Sequence, residues 1–542
     1  MKYIEMKQAE FTRLLSEVDH ICRENDIEYW IDWGTLLGCL RHEGFIPWDD
    51  DCDITMTRSN FEKFLKVYKN YYNGERLVQC HETNPDYPTV FGRYMDINTA
   101  EITGNRSWDM GPSGICMDVF FAIPVPPKEP ERSRMLKWYL VYDEYINNIY
   151  RHCGQRPEEF HGAYRKCWLA GKIFGEERVI KWLEKQIYCC SDEECEDYIQ
   201  ASAGRRWHHF YKKEWIEHTV RKMNDGIEVS VPEKYLEVMR NAYTDGWRYL
   251  PEEQEENGYI SNLHVPSMAY SDDYMNFLDR DEMLKTRKKR ADFLVRKDLK
   301  KREKQLKAVN SAQIMKEQAR LRKATEGVDI RKLIAEKHYA QLVEIFAPYC
   351  SLQLTKSLKQ WPDQVIEVSD DQALGALYAL IEGKFQYYKA AELIQVWENG
   401  GRELTREMRK VKQWVGLISD MNLHIDYGHW DKAEELVKIG LEEWPDTHDF
   451  SLGALRVAVN NADDAEALEA AEGEARKLLQ KYPQDGEIEK CLGDVYWARG
   501  DKDKANEIYD EALEHTLNGL VHLDIKHKRE DGKDERDTEE RI

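Results

Sequence analysis

The feature that most limits what this chain can fold into is Asp51-Cys52-Asp53, which opens the apolar run "DITM" at 53–56. Residues i and i+2 of a strand point to the same side. A strand starting here aims two carboxylates at one point, which is costly unless a cation sits between them. Hard oxygen ligands suit Mg²⁺ or Mn²⁺. The plain alternative is a solvated acidic loop, since Asp49 and Asp50 extend the acidic run. Three neighbours weigh against it. The pair opens an apolar strand, where exposed charge is unusual. A Gly34-Thr35 turn stands 16 residues before Asp51. A third carboxylate, Asp118, lies inside the strand candidate "GICMDVFFAIP", where an uncompensated charge would be expensive to bury. A metal held by Asp51, Asp53 and Asp118 would supply the compensation.

Glycine lets a backbone approach a ligand closely, and a following helix N-terminus offers free N–H groups to phosphate. Gly34 and Thr35 are therefore candidates for a phosphate cradle. Alone, such a turn is usually structural. A Gly-Thr turn, a gap and an Asp-x-Asp on a strand together form the nucleotidyltransferase arrangement. Arg41 and His42 close the short helix and can meet phosphate oxygens, Arg in bidentate fashion. The alternative for Arg41 is an ion pair with the nearby acids.

Around this segment the chain alternates. Residues 3–24 place Phe11, Leu14, Leu15, Val18, Ile21 and Cys22 at helical spacing. "IEYWIDW" reads as a strand, 34–42 as a turn into a short helix, 44–56 as a loop entering a second strand, and 58–72 as a helix. "RLVQCHE", "FGRYMDIN" and "GICMDVFFAIP" are further strands, the last ending at Pro124. The expectation is an α/β (α+β) nucleotidyltransferase-like catalytic domain over 1–280, its second half mainly helical and rich in aromatics. Residues 281–328 read as a basic helical linker, with Leu284, Ala291, Leu299 and Leu306 at near-heptad spacing. From 329 to 523 helical pairs dominate. "YGHWDKAEELVKIGLEEWP" and "LGDVYWARGDKDKANEIYDEALEH" look alike, and Leu492, Gly493, Tyr496, Ala505, Tyr509 and Ala512 resemble a tetratricopeptide pattern. An all-α tetratricopeptide-like repeat domain follows the catalytic one, and the charged tail 524–542 is expected to be disordered.

"GTLLGCLRHEGFIPWDDDCDI" resembles the signature of the LicD proteins, the bacterial phosphocholine transferases related to fukutin and fukutin-related protein. The likeness extends through "ICRENDIEYWIDWG", "FGRYMDINT" and "GICMDVFFAIP", with a weaker echo in "GIEVSVPEKYLEVMRNAYTDGWRYLP". It spans about residues 5–275 and is strongest over 27–123. It implies a nucleotidyltransferase fold, a CDP-linked donor such as CDP-choline, and a glycan acceptor. By that resemblance Asp51, Asp53 and Asp118 hold metal, Gly34 and Thr35 cradle phosphate, and Arg41 and His42 stand beside it. Arg93, Asp96 and Thr99 match a family segment near the site, with Arg93 on donor phosphate. Separately, the attacking hydroxyl must lose a proton, and a carboxylate near the metal, Asp118 or Asp49, is the expected acceptor. Trp33 departs from the small residue relatives often carry there, which puts choline itself in question.

Composition sets the exclusions. A chain of 542 residues holds more than one domain at roughly 100–200 residues each. A net charge of −23 argues against nucleic acid as a partner. No window is apolar enough to cross a bilayer and no signal peptide is visible, so the expected place is the cytosol, with at most peripheral contact at the inner face of the membrane. The 12 cysteines read as free thiols. Cys189, Cys190 and Cys195, near His208 and His209, are poorly spaced for zinc. The aromatics of 136–275 are expected mainly in the core, and the repeats are expected to hold a protein partner. Two rivals remain: transfer of a nucleoside monophosphate with pyrophosphate release, and a non-enzymatic repeat scaffold.

Overall fold

A computed structural model describes residues 3–84, 87, 89–103, 114–146, 160–201, 210–250, 274–277, 315–347 and 368–539. The chain divides into two compact units, Met1–Ala242 with His264–Glu303, and Tyr243–Leu263 with Lys304–Ile542.

In the first unit the N-terminal apolar stripe becomes helix α1 (Tyr3–Glu24), whose Phe11, Leu14, Leu15, Val18, Ile21 and Cys22 are all buried. Then come β1 (Trp30–Ile31), α2 (Trp33–His42), β2 (Asp53–Thr57) and α3 (Arg58–Val67). Thr57 caps α3 by accepting from Asn60 N. The strands β3 (Arg76–Gln79), β4 (Gly92–Asp96), β5 (Ala100–Thr103) and β6 (Cys116–Val125) follow. The principal sheet runs β1-β2-β6-β4-β3. Only β2 and β6 pair in parallel; the other neighbours are antiparallel. As central strands they are covered on both faces, so their apolar runs are continuous rather than alternating.

The stretch after Pro124 is less helical than its composition suggests. Helices α4 (Glu131–Ile146), α5 (His161–Phe174) and α6 (Glu176–Ile187) are followed by β7 (Asp197–Ala201), β8 (Phe210–Lys212), the short α7 (Lys213–Ile216), β9 (Thr219–Asn224), β10 (Ile227–Pro232) and α8 (Tyr235–Tyr243). β7 joins the C-terminal half of β6, and β8 pairs with β7. β9 and β10 form a hairpin around Asp225-Gly226, both at positive φ. A short strand β11 (Tyr274–Phe277) pairs with β5. Tyr139, Tyr142, Tyr145, Tyr164, Tyr198 and Tyr211 are core residues.

Among its described residues the second unit is helical, apart from an isolated bridge between Tyr249 and Asn518. Residues 315–325 are helical; the rest of the basic stretch, 281–314, lies outside the described residues. Then come α9 (Ile330–Ala335), α10 (Tyr339–Ile345), α11 (Asp370–Lys384), α12 (Tyr387–Asn399), α13 (Arg406–Asp426), α14 (Trp430–Glu443), α15 (His448–Asn460), α16 (Ala465–Lys481), α17 (Gly486–Ala498), α18 (Lys502–His515) and α19 (Gly519–Glu539). The look-alike segments each hold one turn of a helical hairpin, α13–α14 and α17–α18. Gly428 and Gly500 take the left-handed conformation that ends the first helix of each. Asp501 then caps α18 through Lys504 N. The tail expected to be disordered from 524 instead continues α19 to Glu539. Residues 243–250 also belong to this unit: the buried Arg248 bonds Asp426 of α13 through Nε at 2.7 Å.

Candidate active site

Strand pairing sets the site. In the parallel β2–β6 ladder Asp53, the first residue of β2, lies opposite Asp118, the third of β6, so the two stand at the same level on neighbouring strands. Asp118 N donates to Cys52 O at 2.9 Å. On the other side of β6, Arg93 lies opposite Asp118. Its Nε donates to Asp118 Oδ1 at 2.6 Å. Arg93, expected on donor phosphate, here anchors a site carboxylate.

The start of α2 pins Asp53 by its backbone. Asp32 N donates to Asp53 O at 3.0 Å. Thr35 Oγ1 accepts from Asp53 N at 2.8 Å, and Thr35 is fully buried. The hydroxyl expected at a phosphate is thus engaged in positioning β2 at Asp53. The helix itself begins one residue earlier than expected, at Trp33, whose φ of 49° places a bulky residue in the left-handed region. Asp32 holds that strained turn. Its buried carboxylate accepts from Trp33 N at 2.9 Å, Thr55 Oγ1 at 2.6 Å, Tyr211 OH at 2.6 Å and Gln200 Nε2 at 2.9 Å. Gln200 Oε1 in turn accepts from Trp33 Nε1 at 2.7 Å. Burial pushes the Asp32 carboxyl above its usual range, against the pull of these donors. Sequence reasoning missed Asp32, Gln200 and Tyr211. An Asp just ahead of a helix is a capping signal that could have revealed the first; nothing local marks the other two.

The acidic loop closes the site. Asp49, Asp50 and Asp51 each offer an oxygen within 4.8 Å of the others, and Asp49 and Asp50 are buried. Gln8 of α1 holds the loop by donating to Ile46 O at 3.0 Å and Asp49 O at 2.9 Å. Lys7, also buried, places Nζ 3.4 Å from Asp50 Oδ2. Gly34 faces Asp49 so closely that a Cβ there would lie 2.5 Å from Oδ2. The Asp225 tip of the β9–β10 hairpin steadies the entry to the loop: its carboxylate accepts from Phe45 N at 3.1 Å and its N–H donates to Glu43 O at 2.9 Å.

Burial, and then the charge of Asp51 beside them, push the carboxyls of Asp49 and Asp53 well above the usual range. Asp118 adds to the effect at Asp53. The expected ligands Asp51, Asp53 and Asp118 therefore share one electrostatic field, but the tight oxygen cluster is Asp49, Asp50 and Asp51. Buried carboxylates of this number fit a divalent cation, which would relieve their mutual repulsion. Arg41 Nε lies 3.2 Å from His42 Nε2, and burial together with Arg41 pulls the His42 ring down to about 4, so it is neutral at physiological pH.

The remaining candidates serve the fold. The carboxylate of Asp96 meets Arg13 and, at 3.3 Å, Arg76 Nη1, which also binds the buried Glu17. Thr99 Oγ1 donates to Asp96 O at 2.9 Å and accepts from Ile115 N at 2.8 Å. Cys189, Cys190 and Cys195 are free thiols; His208 and His209 lie outside the described residues.

A mixed sheet with aspartates paired across β2 and β6, a helix-start turn and an acidic loop fits a nucleotidyltransferase-type fold. Residues 26–109 match the family model "LicD/FKTN/FKRP, nucleotidyltransferase domain". The chain is similar to the lipopolysaccharide cholinephosphotransferase LicD of Haemophilus influenzae, 25% identical over 284 residues, which are 49% of this chain and 100% of that protein. An uncharacterized protein of Rickettsia typhi is 38% identical over 146 residues, 27% of this chain and 37% of its own length. One of Rickettsia prowazekii is 46% identical over 48 residues, 9% of this chain and 18% of its own. The cholinephosphotransferase aligns with about half of this chain; neither rickettsial protein is matched over even half its length.

Proposed function

We propose that the N-terminal unit is a transferase that moves a substituted phosphate, phosphocholine or a similar phospho-alcohol, from a CDP-activated donor to a glycan hydroxyl. The observation that carries the reading is the in-register pair Asp53 and Asp118 facing the acidic loop beside Gly34. The name of the Haemophilus relative supports the class of group transferred.

Asp49, Asp50, Asp51, Asp53 and Asp118 are the residues that would hold Mg²⁺ or Mn²⁺. Held there, the ion would supply positive charge to offset that of the diphosphate and of the CMP leaving group. Arg93 fixes Asp118, while Asp32 and Thr35 fix Asp53, so the carboxylates are preorganised before substrate arrives. Little covalent work falls to the protein. It must place the acceptor hydroxyl in line with the phosphorus and accept its proton. Asp118 and Asp49 are the candidate acceptors, and Asp118, with 22% of its side chain exposed, is the more accessible to an incoming hydroxyl. The helical unit would serve to hold a protein partner, which a pull-down comparing the intact chain with one lacking 329–523 tests.

The direct test is CMP release from a panel of CDP-linked donors with Mg²⁺, comparing wild type with Asp53→Ala. Donor-specific release that the substitution abolishes supports the reading. Release of the free phospho-alcohol with CMP left on the acceptor, or of pyrophosphate when a nucleoside triphosphate is offered instead, would favour nucleotidyl transfer, the reaction the family model is named for. No product, and no Mg²⁺-dependent nucleotide protection against unfolding, would refute both.

A further inference from the structure

Helix α5 carries an exposed surface that the catalytic reading does not use. Tyr164, Cys167 and Gly171 are its buried side. Trp168 is 45% exposed, Leu169 46% and Ile173 71%, and Phe174, at the helix end, is 60% exposed. At 3.6 residues per turn, Trp168, Lys172, Arg165, Leu169, Ile173 and Lys166 fall within an arc of about 160°. Apolar and cationic side chains are thus interleaved on one face. The helix contains Arg165, Lys166 and Lys172 and no acid, in a chain of net charge −23. Lys172 Nζ lies 5.9 Å from the Trp168 ring centre and 3.5 Å from Glu176 Oε1 at the start of α6.

We propose that α5 docks this protein on an anionic lipid bilayer, lying in the plane of the surface. Trp168, Leu169 and Ile173 would sink below the headgroups. The long stems of Arg165, Lys166 and Lys172 would lie along them with their charged ends raised to lipid phosphates. The interleaving selects a membrane over a protein partner, because the buried centre of a protein interface is poor in lysine. Charge complementarity then selects an anionic surface. The contact is interfacial: no helix among the described residues is long and apolar enough to cross a membrane. The inference stands on α5 and does not depend on the donor chemistry proposed above.

The test is co-sedimentation of the full-length protein with vesicles of phosphatidylglycerol and phosphatidylcholine, against vesicles of phosphatidylcholine alone. The wild type should bind the anionic vesicles and release at high salt. Lys166→Glu should weaken partitioning at least about fivefold, the equivalent of one lost cation. Trp168→Glu with Ile173→Glu should weaken it more than tenfold. These positions are exposed, so melting curves and CMP release in solution should not change. Three outcomes overturn the proposal: a wild type that ignores anionic vesicles, variants that bind them like wild type, or a lipid-free wild-type dimer that the variants dissociate, which would assign the face to a second copy.

Discussion

Gly34→Ala separates the geometry of the site from the stability of the fold. The added Cβ would stand 2.5 Å from Asp49 Oδ2, where ordinary contact begins near 3.4 Å. The Asp49 carboxylate must therefore retreat by about 0.9 Å. It is the far end of a side chain, so the retreat costs little in folding, and alanine is the better helix residue by up to about 1 kcal/mol. The expected melting temperature stays within a few degrees of wild type. Catalysis is less forgiving: a displacement of about 1 Å at a reacting centre can cost on the order of a hundredfold in rate. CMP release should fall by ten- to a hundredfold, and the Mg²⁺ concentration for half-maximal rate should rise. Activity within about threefold of wild type, with unchanged Mg²⁺ dependence, would show that the close approach of Asp49 to Gly34 has no part in the reaction.

Two further expectations follow from the same residues. Asp49 and Asp53 have carboxyls raised in the folded state, so protonation favours folding; in EDTA the protein should lose stability as pH climbs above the ordinary carboxylate value of 3.8 and through their raised values. Mg²⁺ should remove most of that loss, and melting curves from pH 5 to 8 with and without Mg²⁺ that run parallel would contradict a metal at this cluster. Tyr211→Phe removes a 2.6 Å hydrogen bond to the buried Asp32 carboxylate. It should cost about 1–3 kcal/mol by denaturant titration, and a cost near zero would mean that Asp32 does not rely on this donor.

The candidate aspartates were legible as positions because their evidence is local. Asp51 and Asp53 open an apolar strand, and Asp118 interrupts another, so each stands out against its own neighbours. The helical hairpins after residue 400 were legible for the same reason, since their periodicity and terminal glycines lie within a few residues of one another. Roles were harder to read than positions. Thr35 looked like a phosphate ligand, but its oxygen accepts from Asp53 N. Arg93 looked like a donor contact, but β4 places it opposite Asp118. The strands β7 to β10 were read as mainly helical because three- to six-residue segments carry too few periods to declare themselves, and pairing decides them.

By itself the sequence determined which residues must be compensated: acids in apolar strands and a run of adjacent aspartates. Burial makes charge expensive, and that is visible wherever charge and apolar residues adjoin. The tertiary structure alone decided what compensates them. Gln200 and Tyr211 reach Asp32 across 168 and 179 residues, Lys7 reaches Asp50 across 43, and Asp53 meets Asp118 only because two strands run side by side. A hydrogen bond or a strand register depends on distance in space, and a chain order does not encode which distant segments will share it.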